Sequence, residues 1–379
     1  MYKQIPLSFP SFNGNESLYT RQAIDSGHLA TYGAFIGKFE RKLNTKLRTH
    51  ESVVLNSGTS ALHLAMVLMG IGPGDEVICQ SFTFCASANP IVYLGAKPVF
   101  VDSESDTWNI SPELLEDAIL NRISNGKKPK AIVVVHLFGM PAKMNEILEI
   151  SRKYNIPVLE DAAEAVGSVY EGEMCGTFGQ IGVYSFNGNK IITTGGGGAL
   201  ISDDTNILQK ARHLSTQARE DLPYYQHLEI GYNYKMNNLA AAVGLAQLEK
   251  LENQVKSRRA VNARYRELFK DIPGISFHTE PDSSQSNYWL TAILINSEIL
   301  GFDAACLQKS LSRHGIESRY LWKPLHMQPV FADAQFYGGK TAQNLFENGL
   351  CLPSSADLKL EDQERILAVI KKELAKSFK

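Results

Sequence analysis

No stretch of this 379-residue chain is apolar for long enough to cross a bilayer. Its first residues, Met-Tyr-Lys-Gln-Ile-Pro, lack the apolar core of a secretion signal. An excess of either charge is missing too: 38 Lys and Arg against 40 Asp and Glu leave a formal net charge of -2. That balance offers no basic field for nucleic acid or anionic lipid. Cysteine is scarce. The five, Cys79, Cys85, Cys175, Cys306 and Cys351, are odd in number and far apart. They form neither a disulfide framework nor a C-x-x-C metal pattern, as expected of a protein kept in a reducing cytoplasm. There is no G-x-x-x-x-G-K-[ST] loop, internal repeat or low-complexity segment. What remains is a chain 44% hydrophobic and 21% charged, ordinary for globular folding and long enough for one large and one smaller domain.

Short β-rich runs alternate with helical patterns through the first two thirds of the chain. Strands are expected at 52–55, 76–79, 98–102, 131–137, 157–159, 183–186 and 199–202. Helices are expected from 58 through 69 and at 86–93, 112–120 (Ser111 as N-cap) and 144–154. This spacing implies an α/β fold with a mostly parallel sheet and helices on both faces, whose ligands gather at the carboxyl ends of the strands. Ser57, Ser81, Asp161 and Ser185 all fall at such ends. Between 237 and 269, Leu239, Val243, Leu245, Leu248, Leu251 and Val255 recur mostly at three- and four-residue steps, predicting one long helical passage. It leads from a large domain at 1–250, including an N-terminal segment, into a smaller C-terminal α+β domain at 251–379. The latter is expected to hold a strand at 288–295 and helices at 304–314 and 358–374.

Five places on this pattern could carry chemistry. Asn56-Ser57-Gly58-Thr59-Ser60 stands between a strand and a helix, where free N–H groups and the helix dipole suit a phosphate; an ordinary N-cap is the plainer reading. Glu160-Asp161 ends a strand and is expected to point into the ligand crevice. There it suits magnesium, a protonated heterocyclic nitrogen such as that of pyridoxal phosphate, or simply a helix N-terminus. With no His or Cys cluster nearby, zinc is not expected. Phe84, in Ser81-Phe82-Thr83-Phe84, is the ring placed to stack on a flat ligand, its plainer role being core. Gly231-Tyr232-Asn233-Tyr234-Lys235-Met236 reads as a capping loop or as a contact with a neighbouring subunit. Last, Ser185-Phe186-Asn187-Gly188-Asn189-Lys190 precedes the run Gly195 to Gly198. A lysine on such a loop is either a solvated charge or a nucleophilic amine.

Taken in order, Ser-Gly-Thr-Ser-Ala (57–61), Glu-Asp-Ala-Ala-Glu-Ala (160–165), Ser-Phe-Asn-Gly-Asn-Lys (185–190) and Gly-Tyr-Asn-Tyr (231–234) form a recognisable series. Together they resemble the DegT/DnrJ/EryC1/StrS family of pyridoxal-phosphate sugar aminotransferases, over almost the whole chain. The resemblance implies fold type I, the aspartate aminotransferase-like fold, in a homodimer with active sites at the subunit interface. It implies Lys190 as the Schiff-base lysine, Asp161 as partner of the pyridine nitrogen, Phe84 stacked on the ring and Glu164 near its phenolate oxygen. Gly58, Thr59 and Ser185 would hold the phosphate, joined by Asn233 from the other subunit. Members with histidine in place of the lysine are sugar dehydratases, so Lys190 points to amination. Gly196 and Val166 stand where members often carry an acidic residue and a histidine, at positions implied to border the substrate.

A finer resemblance concerns the substrate. Ser215-Thr216-Gln217-Ala218-Arg219, the pair Tyr224-Tyr225, and the run from Ser318 to Pro329 resemble the bacillosamine-type branch. That branch implies amination at C4 of a UDP-linked 2-acetamido-4-keto-2,6-dideoxyhexose, with glutamate as donor and 2-oxoglutarate as product. Ala30, Thr31, Tyr32 and Gly33 would line the sugar pocket with Ser57 and Arg219. Arg319, Trp322, Lys323 and His326 would reach over the sugar or its diphosphate, a task suited to bidentate arginine and point-charge lysine. Other readings stay open. They are a transaminase for GDP-4-keto-6-deoxymannose (giving perosamine) or a dTDP-sugar, a pyridoxamine-dependent dehydratase, and a cofactor-binding regulatory or scaffold protein.

Overall fold

Val- and Ile-rich runs too short for helices, such as Ala131–Val135 and Glu76–Gln80, are buried along their whole length. That is the pattern of strands covered on both faces. The computed structural model describes residues 3–12, 14–48 and 50–377. Its main sheet has eight strands in the order Glu51–Leu55, Gly198–Ser202, Ile181–Ser185, Val158–Asp161, Ala131–Val135, Glu76–Gln80, Lys97–Val101, Gln335–Tyr337. All neighbours pair in parallel except Gly198–Ser202, which runs antiparallel to both strands beside it.

Alternation along the strands divides the core. Val53, Val77, Val133 and Leu159 face the helices Gly58–Leu68 and Thr205–Leu214. Their neighbours face the other way, Val54 toward Ala34–Leu47 and Asn238–Glu249, and Ile78, Ile132 and Val158 toward Pro112–Ser124 and Met144–Tyr154. The C-terminal part has its own antiparallel sheet, ordered Ile275–Phe277, Thr291–Ile295, Gly349–Leu352, Arg319–Tyr320. Tyr265, Phe269, Leu307 and Ile366 from its helices pack against this sheet.

Several expectations need correction. The passage from 237 to 269 is two helices, Asn238–Glu249 and Leu251–Phe269, divided at Lys250, whose ψ of 4° is not helical. Asn237 is the cap, its side chain accepting the Ala240 N–H at 2.7 Å. The strand expected at 288–295 starts only at Thr291, because Tyr288 adopts φ 45° and turns the chain. The strand expected at 131–137 ends at Val135, and Phe138 takes φ 54° in the turn that follows. The helix expected at 86–93 is broken into a turn at Cys85–Ser87 and a short helix at Asn89–Tyr93. The helices Glu16–Asp25 and Ala34–Leu47, and the edge strand that Gln335–Tyr337 adds to the main sheet, had no counterpart in the sequence reading. Among the described residues no helix is long and apolar enough to cross a membrane.

Gly182 shows how tightly the sheet is closed. A Cβ there would lie 2.0 Å from the Gly176 carbonyl oxygen, and backbone cannot move aside as a side-chain end can. Gly182→Ala is expected to cost about 1–3 kcal/mol, as overpacking does, read as a lower denaturation midpoint. An unchanged midpoint would show that the turn at 176 yields freely.

Candidate active site

The strand Val158–Asp161 delivers two carboxylates to opposite faces, because successive strand residues alternate. Glu160 turns into the structural core. Its Oε1 accepts the N–H groups of Phe178 and Gly179, both at 2.6 Å, and its Oε2 accepts that of Gly176 at 2.8 Å. The same oxygen accepts a hydrogen bond from His136 Nε2–H at 2.8 Å, since His136 Nδ1 is occupied as acceptor of the Ala142 N–H. The expected acidic pair in the crevice is therefore corrected to a single acid. Asp161 alone faces the cavity, and among the described residues no group of three His, Cys, Asp or Glu side chains gathers as a metal site.

Asp161 is only 4% exposed. Burial pushes its carboxyl above the usual range, opposed by the Ser87 hydroxyl, which donates to Oδ2 at 2.6 Å, and by the Ala163 N–H on Oδ1 at 3.2 Å. Ser87 in turn meets the Thr83 hydroxyl at 2.9 Å. A buried carboxylate so placed is incomplete without a cationic partner.

The cavity above it holds about 290 Å³. Its walls bring together Ser57, Gly58, Thr59, Phe84, Glu164, Ser185, Lys190 and Trp322 of the expected residues. At one end, helix Gly58–Leu68 begins. Ser57 caps it through the Ser60 N–H at 3.0 Å, and the N–H groups of Gly58 and Thr59 precede the first intrahelical bond. Gly58 has no room for a side chain, since a Cβ would meet that of Ser185 at 2.9 Å. At the other end Lys190 Nζ lies 3.5 Å from Glu164 Oε1 and 4.0 Å from the Trp289 ring centroid. Burial also pushes the Glu164 carboxyl up, with Lys190 and the Phe138 N–H opposing it. Phe84 tilts against Trp322 at 5.3 Å, and the buried Trp322 indole N–H has no hydrogen-bond partner. An acid for a cationic nitrogen, a helix N-terminus for a phosphate, and an amine on the same cavity suit a flat, singly phosphorylated ring.

Other expected residues lie outside this cavity. Ala30 to Gly33 form the turn before helix Ala34–Leu47. There Asn238 donates to the Ala30 carbonyl at 2.7 Å, and Tyr32 lies exposed beside the His28 ring. Thr31 too is away from the walls. Arg219 sits over the Tyr225 ring at 5.4 Å, Arg319 pairs with Glu317 at 3.0 Å, and Lys323 is exposed. His326 is occupied elsewhere: Nδ1 meets the Ser81 hydroxyl at 2.6 Å and its ring stacks on Phe336 at 3.7 Å. Asn233 spends its carbonyl on the Asn56 side chain and is exposed. Ser87, Asn187 and Trp289 line the cavity without having been singled out, since nothing in their sequence neighbourhoods separates them from a helix, a turn and a strand.

Asn287 binds two walls together. Its Nδ2 donates to the carbonyls of Glu164 (2.9 Å) and Val166 (3.0 Å), and its Oδ1 accepts the Trp289 N–H at 2.8 Å. Asn287→Ala leaves these buried groups unpaired, at about 1–3 kcal/mol each. The expected result is a lowered melting temperature with altered tryptophan fluorescence; a variant matching wild type in both would show that the walls hold without it.

The model of the DegT/DnrJ/EryC1/StrS aminotransferase family matches residues 10–371. EpsN of Bacillus subtilis, named as a pyridoxal phosphate-dependent aminotransferase, is 45% identical over 374 residues, 98% of this chain and 96% of that protein. The GDP-perosamine synthase of Escherichia coli O157:H7 is 37% identical over 95% of each chain. Among solved structures, a DegT DnrJ EryC1 StrS aminotransferase from Brucella abortus superposes with TM-score 0.88 at 31% identity, covering 94% of this chain and 95% of its own. Site and relatives agree: the chain belongs to the DegT/DnrJ/EryC1/StrS aminotransferase family and is a pyridoxal phosphate-dependent enzyme of fold type I.

Proposed function

We propose that this aminotransferase converts a UDP-linked 2-acetamido-4-keto-2,6-dideoxyhexose to the 4-amino sugar, with glutamate as amino donor. One observation carries the reading: Lys190, Asp161 and the helix N-terminus at Gly58 and Thr59 border a single cavity. Pyridoxal 5′-phosphate, when bound, supplies a carbonyl that takes up an amino group and a ring that spreads negative charge from the adjacent carbon. In this assignment Asp161 keeps the ring nitrogen protonated, and Gly58, Thr59 and Ser185 hold the phosphate. Phe84 covers the ring, and Glu164 lies by its phenolate oxygen. Lys190 anchors the cofactor. Once free, its amine takes the proton from the α-carbon of glutamate and delivers it across the site; the amino group would stay with the cofactor, and water would supply the keto oxygen of the 2-oxoglutarate that leaves. When the 4-keto sugar enters, the same lysine moves a proton in the reverse sense and an amine remains at C4.

The sugar reading rests on the segments around Arg219 and from Ser318 to Pro329, with the unpaired Trp322 indole N–H as a donor ready for a substrate oxygen. Thr31 is assigned to the sugar pocket, and Arg319, Lys323 and His326 to the sugar or its diphosphate. A GDP-linked 4-keto sugar is the second reading, favoured by the likeness to a GDP-perosamine synthase. We assign the working form to a cytoplasmic homodimer. The exposed Tyr224, Tyr225, Leu228 and Ile230 would face the second copy, with Asn233 entering that copy's site.

A panel of UDP-, GDP- and dTDP-linked 4-keto sugars, assayed for glutamate-dependent amination, is expected to show turnover on the UDP sugar. Turnover on the GDP sugar alone would move the assignment to the second reading. Lys190→Ala is expected to abolish glutamate-dependent bleaching of the cofactor's visible absorbance; full turnover in that variant would sink the role given to the lysine.

Asp161→Asn separates stability from activity. Because burial raises the Asp161 carboxyl, its charged form weakens the fold once pH climbs through the raised value. Below about 3.9, where the unfolded carboxyl is protonated too, that loss is absent. The cofactor-free variant is thus expected to melt above wild type at neutral pH, the gap closing toward about pH 4, while amination falls about 10²-fold or more. Equal melting at neutral pH would contradict this account of Asp161.

A further inference from the structure

We propose that Trp289 is a catalytic residue of this site, its indole face holding the Lys190 amine as an ammonium while it carries a proton from one carbon to the other. The proposal rests on the reading of Lys190 given above and extends it to a residue of the C-terminal part of the chain.

Lys190 Nζ lies 4.0 Å from the Trp289 ring centroid, inside the roughly 6 Å over which a cation is drawn to an aromatic face, and tryptophan is the strongest such ring. The ring is only 2% exposed and the lysine side chain 12%, so little water competes for the contact. The charged groups that face the amine are Glu164, at 3.5 Å, and Asp161 on the cavity floor. Trp289 is also fixed at each of its polar atoms. Its indole N–H donates to the Asn189 carbonyl at 2.7 Å, its backbone N–H to Asn287 at 2.8 Å, and its carbonyl accepts from the buried Arg258 guanidinium at 2.6 Å. Two of these anchors lead back to the lysine. Asn189 is the residue before it, and Asn287 also holds the backbone of Glu164, the other group against the amine. The indole N–H bond to Asn189 thus fixes the ring directly to the lysine's own loop.

The chemistry gives the contact a purpose. Lys190 is neutral when it takes a proton and becomes an ammonium until it delivers it, so a π face set against Nζ acts on the form present between the two transfers. No group is consumed: the proton taken from the donor carbon is the proton delivered.

The test uses Trp289→Phe, which keeps a weaker ring, and Trp289→Leu, which keeps none, in the full chain with cofactor bound. The rate constant of glutamate-dependent bleaching is expected to fall about 5- to 30-fold in the leucine variant, and less in the phenylalanine variant. Half-saturating glutamate and the cofactor dissociation constant should stay within about threefold of wild type if the ring acts on the transfer step rather than on binding. A second readout needs no turnover. In the cofactor-stripped chain, labelling of Lys190 by trinitrobenzenesulfonate, mapped by peptide mass against the exposed Lys371, should quicken several-fold in Trp289→Leu, which takes the π face from the amine, and clearly less in Trp289→Phe, which leaves a weaker one. Unchanged bleaching together with unchanged Lys190 labelling would overturn the proposal. So would a fall in bleaching matched by loss of cofactor affinity and melting temperature with labelling quickened equally in both variants, which is the signature of an opened wall alone. Should Lys190→Ala still bleach and turn over, the assignment of the lysine itself fails, a result distinct from either.

Discussion

A buried guanidinium whose hydrogen bonds, among the described residues, go to neutral oxygens ties the N-terminal segment to the C-terminal part of this enzyme. Arg258, on helix Leu251–Phe269, donates to the carbonyls of Trp289 and Ser354 and to the Ser8 hydroxyl. Burial pulls its basicity down to about 10, so even this strongest of bases feels the low dielectric around it, and its Nε finds no partner. Such a group persists only where its neighbours over-determine it. Here the neighbours are the N-terminal segment, the turn carrying Trp289, and the chain leaving strand Gly349–Leu352. Ser8 donates onward to the Asn189 carbonyl, and so does the Trp289 indole. One carbonyl next to Lys190 thus collects donors from both ends of the chain.

Beneath that clamp, the site shows how period two separates structure from chemistry. Glu160 and Asp161 are adjacent, both buried, and do opposite work. Glu160 is satisfied on every side by backbone N–H groups and His136, and it locks the turn from 176 to 179 under the sheet. Asp161 is left short of donors and costs the fold something in return for a place where positive charge is welcome.

Residues that carry chemistry through local sequence were readable. Lys190 beside its glycine run, Gly58 at a helix start and Asp161 at a strand end need only their immediate neighbours to suggest a role, and the cavity unites them. The pairing of Glu160 with Asp161 was misread although strand alternation alone forbids it. Trp289 was unreadable for another reason. It lies in Tyr288-Trp289-Leu290-Thr291, a run with every mark of a strand, and only the positive φ at Tyr288, imposed by the buried Asn287 bonds, swings it toward Lys190. Ser87 was hidden likewise, inside a stretch whose composition reads as helix but which breaks into a turn to meet Asp161. Thr31, Arg319 and His326 lie outside the cavity in the single chain, because a residue's type does not say where the fold will carry it.

The N-terminal segment has a consequence for the order in which this molecule is made. Ile5 pairs with Ile316, the Leu7 N–H goes to Glu317, and that of Phe9 to Ser355. As the chain is synthesised, these residues therefore wait for partners more than 300 positions away. At ordinary synthesis rates that is roughly 15–60 s. Ser8, which helps place the Asn189 carbonyl, is among them. The main-sheet strands up to Gly198–Ser202 can pair as they emerge, but the segment carrying Ser8 docks only once residues 316–355 have been made. The Asn189 carbonyl beside Lys190 thus gains its Ser8 donor late in synthesis.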